Sequence, residues 1–208
     1  MELIAIDGLA GTGKSTLARA LAERLGLDYL DTGATFRMMA LAMLRSNVRL
    51  EDEDEIMRVV DSVDISYEKG KSMVNGVDVT DAIRDEKVSS AASKIAVHPR
   101  LRERLLNWQR SWVASHGASV VEGRDTTSAV FPDAAVKVYL EADAKVRAAR
   151  RSEATVATIA ERDKRDSERK VAPLIRVPEA VEIDTTRLSR SEVENLVIDL
   201  WERHRSKE

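Results

Sequence analysis

The stretch IAIDGLAGTGKST, residues 4–16, decides the fold of this chain. Within it, Gly8 to Ser15 match the pattern G-x-x-x-x-G-K-[ST], whose glycines leave backbone N–H groups free to converge on a phosphate. An apolar run precedes this loop, and a helical pattern over residues 14–25 follows it. The unpaired N–H groups at the start of that helix, together with the positive end of its dipole, favour an anion at the same place. The stretch therefore predicts a phosphate-binding loop between the first strand and the first helix.

The side chains of the loop indicate which kind of phosphate compound it binds. Lys14 supplies a positive charge near the β- and γ-phosphates of a nucleoside triphosphate, and Ser15 offers a hydroxyl to Mg²⁺. We therefore expect a nucleoside triphosphate with Mg²⁺, and Ser15 as the metal ligand. The alternative is a plain glycine-rich turn. The loop residues expected to contact the triphosphate are Gly8, Leu9, Ala10, Gly11, Thr12, Gly13, Lys14, Ser15 and Thr16.

Strand and helix patterns alternate along most of the chain. A strand is predicted over 2–7, and a second one, DYL, ends at Asp31. Later strands are predicted in ASVVEGRD, at 136–140 and in AVEI. Helices are predicted at about 14–25, 34–45, 51–61, 87–97, 100–116 and 144–169, and a last one begins at the capping box of Ser189 and Glu192. This alternation is typical of a parallel sheet with crossover helices, so we predict the α/β class and a single domain over 1–208.

One segment departs from the alternating pattern. Residues 63–85 contain short alternating stretches separated by Lys69-Gly70 and Asn75-Gly76, which are hairpin turn signals. The segment predicts a small antiparallel insertion outside the main sheet. In the predicted helix that ends near residue 116, an apolar face made of Leu101, Leu105, Trp108 and Trp112 indicates core packing.

Composition and charge narrow the classes of partner. The formal net charge is −3, whereas a duplex-binding protein is usually clearly basic, so we expect no nucleic acid partner. The chain has no cysteine, which excludes disulfides and thiolate metal sites. No apolar stretch is long enough to span a bilayer, and no secretory signal is apparent at the first residues. We expect a soluble, cytoplasmic monomer without a membrane partner.

Two strand ends supply charged side chains for a second ligand. In open α/β sheets, ligands bind beyond the carboxyl ends of the strands. Asp31 lies at one such end, with Thr32 beside it and Arg37 one turn into the next helix. Arg124 and Asp125 follow a later strand. Arginine can hold a phosphate with two parallel hydrogen bonds, so these residues predict an acceptor site. The alternatives are a helix-capping aspartate with a surface arginine, and a surface ion pair.

A third cluster is the stretch ERDKRDSER, residues 161–169. At helical spacing, Arg162 and Asp166 are neighbours four residues apart, and so are Arg165 and Arg169. A solvated helix with ordinary ion pairs explains such a run. A movable, arginine-rich lid explains it as well, because phosphoryl transfer needs several cations and the exclusion of water.

Taken together, these segments resemble the bacterial cytidylate (CMP) kinase family from end to end. The matching stretches are IAIDGLAGTGKSTLARALAERLGL, YLDTGATFR, VSSAASKIAVHPRLRERLLNWQR, EGRD with VFPDA and VKVYL, ERDKRDSERKVAPL and IDTTRLS. The resemblance implies a P-loop, three-layer α/β/α fold with a central parallel sheet. It also implies an enlarged region for the nucleoside monophosphate, about 32–110, and a small helical lid, about 150–172. The implied activity is transfer of the γ-phosphoryl group of ATP to CMP or dCMP, with Mg²⁺.

The resemblance also implies roles for individual residues. Arg37 and Arg124 look like the residues that hold the CMP phosphate, and Asp31 and Thr32 like further substrate contacts. Those that resemble the cytosine contacts are Ser93, Arg110, Asp125 and Arg169. Those that resemble contacts to the sugar are Arg162 and Asp166, with Arg162 also near the transferred phosphoryl group. The implied catalytic residues are Lys14, Arg124 and Arg162, and those near the adenine of ATP are Arg150, Thr185 and Thr186.

Several positions depart from the family pattern. Leu9 replaces a common proline, Phe36 a usual tyrosine, and Thr127 and Ser128 stand where glycine and threonine are frequent. The stretch between Arg151 and Arg162 is short, which predicts a trimmed lid. Two other functions stay open: a kinase for another acceptor such as UMP, AMP or shikimate, and a nucleotide-dependent switch. No N-K-x-D motif for guanine is present, and a switch has no use for the acceptor-side arginines.

Overall fold

The computed structural model describes residues 1–150 and 155–206. The chain divides into two compact units, of which the first comprises Met1–Tyr29 and Val113–Glu208, and the second Leu30–Trp112. The predicted lid, about 150–172, includes residues 151–154, which lie outside the described residues. The prediction of a trimmed lid falls partly on the same residues, so it stays a prediction.

Eight strands and eight helices follow one another along the described chain. The strands are β1 (Leu3–Gly8), β2 (Asp28–Asp31), β3 (Ile65–Glu68), β4 (Lys71–Val74), β5 (Val77–Asp78), β6 (Ser119–Glu122), β7 (Val136–Glu141) and β8 (Val181–Asp184). The helices are α1 (Lys14–Leu25), α2 (Thr32–Arg45), α3 (Glu53–Val60), α4 (Glu86–Ile95), α5 (Pro99–His116), α6 (Ala144–Ala149), α7 (Val156–Ser167) and α8 (Arg190–Arg205). None of these helices is long and apolar enough to cross a membrane.

The main sheet has five parallel strands in the order β2-β6-β1-β7-β8. Ile4 of β1 pairs with Val120 of β6 on one side and with Val136 of β7 on the other, so β1 is the central strand. Because parallel strands end at the same edge of a sheet, Gly8, Glu122 and the other strand ends lie along one edge. The predicted α/β/α fold with a central parallel sheet is confirmed.

The core of the first unit lies between this sheet and two helices. Leu17 and Leu21 of α1 and Val197 and Trp201 of α8 are buried in one cluster with apolar residues of β1, β6, β7 and β8. The capping box that starts α8 is present, since Ser189 Oγ accepts the N–H of Glu192 and the Glu192 carboxylate accepts the N–H of Ser189. Burial of these apolar faces is the main force that holds the helices on the sheet.

The second unit contains the predicted antiparallel insertion. Strands β3, β4 and β5 form a separate antiparallel sheet whose two connections are the two-residue loops Lys69-Gly70 and Asn75-Gly76. All four loop residues have positive φ, which gives the hairpin turns predicted from these sequences. The indole N–H of Trp112 donates to the carbonyl oxygen of Tyr67 at 2.7 Å and so ties α5 to this sheet. On the predicted apolar face of α5, Leu101, Leu105 and Trp112 are buried and Trp108 is half-buried.

The start of α2 and the region 144–169 differ from the sequence prediction, and caps explain both differences. Helix α2 begins two residues earlier than predicted, at Thr32, because Asp31 accepts the N–H of Ala34 and caps the helix. The single helix predicted over 144–169 is two helices, α6 and α7. Asp143 caps α6 and Thr155 caps α7 with a capping box of its own.

A buried carboxylate organises the loop that follows β6. Asp7, at the end of β1, is 0% exposed and accepts the N–H groups of Thr126 and Thr127 at 2.9 and 2.7 Å. It also accepts the hydroxyl of Thr127 at 2.6 Å. These bonds hold a single π-helical turn, Thr126–Val130, directly after Arg124 and Asp125. In the sequence, nothing indicates a role for Asp7, and Thr127 is visible only as a departure from the family pattern.

We expect Thr127→Val to destabilise the protein. The substitution keeps the shape of the side chain but removes the hydroxyl that donates to the buried Asp7 carboxylate. The free energy of unfolding should fall by about 2 kcal/mol, the usual effect of losing a hydrogen bond to a charged group. Urea unfolding measures it, with Thr127→Ser as the control that keeps the hydroxyl. Equal stability of the valine variant and the parent would contradict this account.

Candidate active site

The backbone of the phosphate loop lies unusually close to its neighbours. A Cβ atom at Gly8 would lie 2.2 Å from the carbonyl oxygen of Leu140 in β7, and one at Gly11 would lie 2.7 Å from that of Arg147 in α6. Both glycines also have positive φ, 148° and 78°. From the sequence alone, access for a phosphate explains the glycines. The structure adds that these two are required by close packing against β7 and α6.

Lys14, the first residue of α1, is buried beneath the loop. It is 5% exposed, and its Nζ donates to the carbonyl oxygens of Gly8 and Leu9, both at 2.8 Å. Burial, and then the positive charge of Arg124, lower the pKa of Lys14 from 10.5 to about 7. The carboxylates of Glu122 and Asp7 act in the opposite direction. An anion bound next to the amine would favour its charged form and raise this pKa again.

Ser15, the predicted metal ligand of the loop, contacts a carboxylate at the end of β6. Ser15 Oγ donates to Glu122 Oε1 at 2.6 Å, and the hydroxyl of Tyr29 lies 3.4 Å from the same oxygen. Glu122 ends β6 and is 5% exposed. From the sequence, Glu122 is expected at a strand end but without a role. The position itself was the available signal, because it directs the carboxylate to the edge that carries the loop.

A buried cluster of opposite charges joins the loop after β6 to α7. Arg124 Nε donates to Asp166 Oδ2 at 2.9 Å, and Arg169 Nε donates to the carbonyl oxygen of Asp166 at 3.1 Å. Arg169 Nη2 also lies 3.7 Å from Asp166 Oδ1. Burial alone would raise the pKa of Asp166, but Arg124, Arg169 and Arg162 outweigh it and hold that pKa below its usual value. The cluster thus combines an ionised carboxylate with three cations.

The charge run at residues 161–169 has an exposed face and a buried face. Its outer face has the ordinary ion pairs of a solvated helix, Glu161 with Arg165 and Lys164 with Glu168, at 3.9 and 4.0 Å. Its inner face is buried at Asp163 and Asp166. Arg162 is half-buried and acts electrostatically on both Asp166 and Lys14. The inner face is therefore the one that belongs to the candidate site.

The two residues of GRD that were assigned to substrate differ in their surroundings. Arg124 is not part of a surface ion pair with its neighbour, since its side chain is 18% exposed and pairs with Asp166. Burial lowers the pKa of Arg124, but the charge of Asp166 outweighs this and raises it above its usual value. Asp125 is buried, and its carbonyl oxygen accepts the N–H of Ala129 in the π-helical turn.

Arg150 lies next to the phosphate loop, with its Nη1 3.4 Å from the carbonyl oxygen of Thr12. Its guanidinium donates to Oγ1 and to the carbonyl oxygen of Thr185 at 2.9 and 2.7 Å. Thr185 Oγ1 lies 3.2 Å from the carbonyl oxygen of Thr12. Thr186 lies differently, because its hydroxyl is exposed and donates to Asp184. The structure therefore brings Arg150 and Thr185 to the loop, while Thr186 accepts the N–H of Asp143 at the start of α6.

The predicted acceptor residues of the second unit lie on three helices and at the end of β2. Arg37 Nη2 donates to Asp31 Oδ2 at 2.6 Å, so Asp31 both caps α2 and pairs with the arginine. Ser93 is buried on α4, and its hydroxyl has no hydrogen-bond partner within the described part of the chain. Arg110 is exposed on α5. The carbonyl oxygen of Thr32 accepts the hydroxyl of Thr35 at 2.7 Å.

Gln109 is a further residue of this unit that sequence analysis did not single out. It is 1% exposed, and its Nε2 donates to Thr35 Oγ1 at 2.8 Å and lies 3.4 Å from the Thr32 carbonyl oxygen. Gln109 thus fixes the first turn of α2, which follows its cap Asp31 and precedes Arg37. Gln109 is a polar residue next to Arg110 in the sequence, and nothing in the sequence distinguishes it from a surface residue.

Two of the departures from the family pattern, Leu9 and Phe36, have local contacts. Leu9 packs against a small cluster of Tyr139, Leu174 and Ala180 in the first unit. In the second unit, the guanidinium of Arg102 lies 5.4 Å from the centroid of the Phe36 ring, a cation–π contact.

The low pKa of Lys14 predicts a pH-dependent stability. Between about pH 7 and pH 10.5, the unfolded chain holds a proton on Lys14 that the folded protein has mostly lost. The unfolded state then binds more protons, so the free energy of unfolding should rise with pH over this range. Urea unfolding from about pH 6.5 to about pH 9 should show this rise in the parent, and a smaller one in Lys14→Met, which has no amine to titrate. The same slope in both proteins would show that Lys14 keeps an ordinary pKa.

Comparisons with known proteins identify the family. A family model described as Cytidylate kinase matches residues 4–203. The chain is 41% identical to a cytidylate kinase of Geobacillus kaustophilus, over 95% of each chain, and 40% identical to one of Mycobacterium avium, over 95% of this chain and 94% of that one. A cytidylate kinase of Polynucleobacter necessarius is 41% identical, with 96% and 98% covered.

A solved structure agrees at the level of the fold. An uncharacterized protein from Eubacterium ventriosum has a TM-score of 0.52 at 13% identity, with 97% of this chain and 99% of that one covered. That likeness concerns the fold alone. The match over nearly the whole sequence and the relatives at about 40% identity are what identify the chain: it belongs to the cytidylate kinase family.

Proposed function

We propose that the protein transfers the γ-phosphoryl group of ATP to CMP and to dCMP, giving CDP and dCDP. The observation that carries this proposal is the buried cluster of Lys14, Arg124, Asp166 and Arg169, which lies at the phosphate loop of a chain in the cytidylate kinase family. Such a cluster suits the transfer of a highly charged group, which depends on positioning and electrostatic stabilisation.

The donor side of the proposal rests on the phosphate loop. Its N–H groups, the start of α1 and the Lys14 amine supply positive charge for the phosphates of ATP. Arg150 and Thr185 would border the adenosine. The low pKa of Lys14 is consistent with this role, because a phosphate beside the amine replaces the solvation that the amine loses on burial.

Mg²⁺ fits the oxygens next to the loop. Ser15 Oγ and Glu122 Oε1 are hard oxygen donors 2.6 Å apart, and they would hold the ion directly or through its water ligands. The described residues include no group of three or more carboxylates or histidines that could cage a metal. That is consistent with Mg²⁺, which usually keeps several waters and binds one or two carboxylates together with substrate phosphates. When bound, the ion would neutralise phosphate charge.

On the acceptor side, the cluster around Asp166 supplies the contacts in the first unit. Arg124 would hold the phosphate of CMP and share the charge of the transferred group with Lys14 and Arg162. Asp166, once Arg124 turns to the phosphate, would accept hydrogen bonds from the sugar hydroxyls. Asp125 and Arg169 would contact cytosine, whose edge offers an amino donor beside two acceptors.

The second unit would contribute Arg37 to the phosphate, Asp31 and Thr32 to further substrate contacts, and Ser93 and Arg110 to the base. The buried hydroxyl of Ser93 supports its part, because buried polar groups are nearly always satisfied in the working state of a protein. That the protein acts as a cytoplasmic monomer, with no nucleic acid or membrane partner, remains a prediction from the sequence.

A panel of acceptors tests the proposed function. We expect ADP formation from ATP and Mg²⁺ with CMP and dCMP, little with UMP or AMP, and a diphosphate as the second product. Turnover that is independent of the acceptor would exclude the kinase and favour an ATPase or a switch. Turnover with another acceptor alone would keep the kinase and replace its substrate.

Asp125→Ala should weaken the preference for cytosine. Uracil presents an acceptor where cytosine presents its amino donor, so a buried carboxylate favours cytosine strongly. We expect the ratio of kcat/KM for CMP to that for UMP to fall at least about tenfold. The control is Asp133→Ala, an exposed aspartate of the same unit. A variant that prefers CMP as strongly as the parent would remove Asp125 from the contacts to the base.

Glu122→Gln should raise the Mg²⁺ concentration that gives half-maximal activity. The substitution keeps the shape of the side chain and removes its charge, and the loss of such a metal partner typically weakens metal binding about 10-fold or more. Glu141→Gln, at the end of β7 on the other side of the central strand β1, is the control. An unchanged Mg²⁺ requirement in Glu122→Gln would place the ion elsewhere.

A further inference from the structure

The first unit contains a second buried ion pair, whose two residues are not among the proposed substrate contacts. It joins Arg147 of α6 to Asp163 of α7, through Arg147 Nη1 and Asp163 Oδ2. The two side chains are 8% and 12% exposed. Arg147 Nε donates in addition to the carbonyl oxygen of Ala142 at 3.0 Å. The pair therefore fixes the two helices that flank residues 150–155 against each other.

The pair also holds one residue of the phosphate loop by both of its backbone polar groups. The N–H of Ala10 donates to Asp163 Oδ1 at 3.0 Å, and the carbonyl oxygen of Ala10 accepts from Arg147 Nη1 at 3.1 Å. Ala10 is 1% exposed. At the next residue, Gly11, there is no space for a Cβ because the carbonyl oxygen of Arg147 would be 2.7 Å away. The tip of the loop is thus fixed by α6 and α7 together.

Stability alone is a poor explanation for this arrangement. The desolvation of two charges offsets most of their attraction, and apolar residues of similar volume often serve a protein interior as well or better. What an apolar pair cannot do is hold both the N–H and the carbonyl oxygen of Ala10. The distinctive result of the ion pair is a defined backbone conformation in the loop.

The same carboxylate sets the position of α7. Asp163 follows Arg162 directly in the sequence and precedes Asp166 by one turn, so bonding Asp163 to the loop places both of those residues relative to it. The conformation of the phosphate loop and the placement of the cations of α7 therefore depend on one group. In a reaction that relies on positioning, a displacement of about 1 Å lowers the rate about 100-fold.

We propose that Asp163 and Arg147 are positioning residues for phosphoryl transfer, which act by clamping Ala10 of the phosphate loop to α7. Neither side chain contacts the substrates. Asp163 keeps the loop N–H groups in the arrangement that receives the triphosphate and holds Arg162 next to it. This inference rests on the proposed function for its catalytic part, whereas its effect on ATP binding is independent of the acceptor.

Two measurements on Asp163→Asn test the proposal. The affinity for ATP with Mg²⁺, measured by calorimetry without acceptor, should fall about tenfold, which corresponds to the loss of one well-placed hydrogen bond. The kcat with CMP, per folded molecule, should fall about 10- to 100-fold, while KM for CMP stays within about twofold of the parent. The matched control on the same helix is Glu161→Gln, whose side chain is 73% exposed and pairs only with Arg165 among the contacts described for it.

A purely structural role makes a different prediction. Asp163→Asn would then lower the midpoint of unfolding but leave ATP affinity and kcat per folded molecule unchanged, and that result would overturn the proposal. Because the single variant leaves Arg147 buried without its partner charge and can fail to fold, the double variant Asp163→Asn, Arg147→Met is measured as well. It contains neither charge, and it should still bind ATP less tightly than the parent because the carbonyl oxygen of Ala10 has lost its donor.

The outcomes separate this inference from the proposed function. A double variant with the ATP affinity of the parent would overturn the clamp. A parent that binds ATP but does not phosphorylate CMP would refute the proposed function, and the ATP affinities of the variants would still decide whether Asp163 and Arg147 position the loop.

Discussion

The architecture of the first unit depends on how closely the phosphate loop packs against its surroundings. Gly8 lies so near to Leu140 of β7, and Gly11 so near to Arg147 of α6, that any side chain at either position would overlap with backbone atoms. This packing follows from the central position of β1 in the sheet, because β6 and β7 flank it on both sides and end at the same edge. Glu122 therefore reaches Ser15, and Asp7 reaches the turn that begins at Thr126.

The charged groups around the loop favour the binding of an anion. Lys14 is buried, shares its surroundings with Arg124 and Arg162, and has a lowered pKa although Glu122 and Asp7 lie near it. On the other side of the same arginine, Asp166 stays ionised in spite of its burial because cations surround it. Bringing a phosphate to such a site exchanges internal carboxylate contacts for contacts to the ligand, which limits the net desolvation that binding requires.

The sequence was sufficient for those features that local patterns specify. The loop from Gly8 to Ser15, the parallel sheet and both hairpin turns of the insertion follow from spacing, periodicity and turn chemistry, and the structure confirms the last two. Asp163 could not be recognised in the same way. In the run ERDKRDSER it is one of many charges, and its partner Ala10 lies 153 residues away. Periodicity describes which neighbours a helix brings together, but it contains no information on which distant backbone group a carboxylate will meet.

The order of the strands has a consequence for how the chain folds as it is synthesised. The second unit is continuous in sequence, and its small sheet pairs neighbouring strands. All residues that form its internal contacts have therefore been synthesised once Trp112 is added. The central strand of the first unit is made before the second unit, yet Leu3 must wait for Ser119 of β6, and β7 and β8 come later still. Contacts between residues that are distant in sequence form slowly. The apolar strand β1 consequently remains without its sheet while the whole second unit is synthesised, and the inserted unit is complete before the unit that carries the phosphate loop.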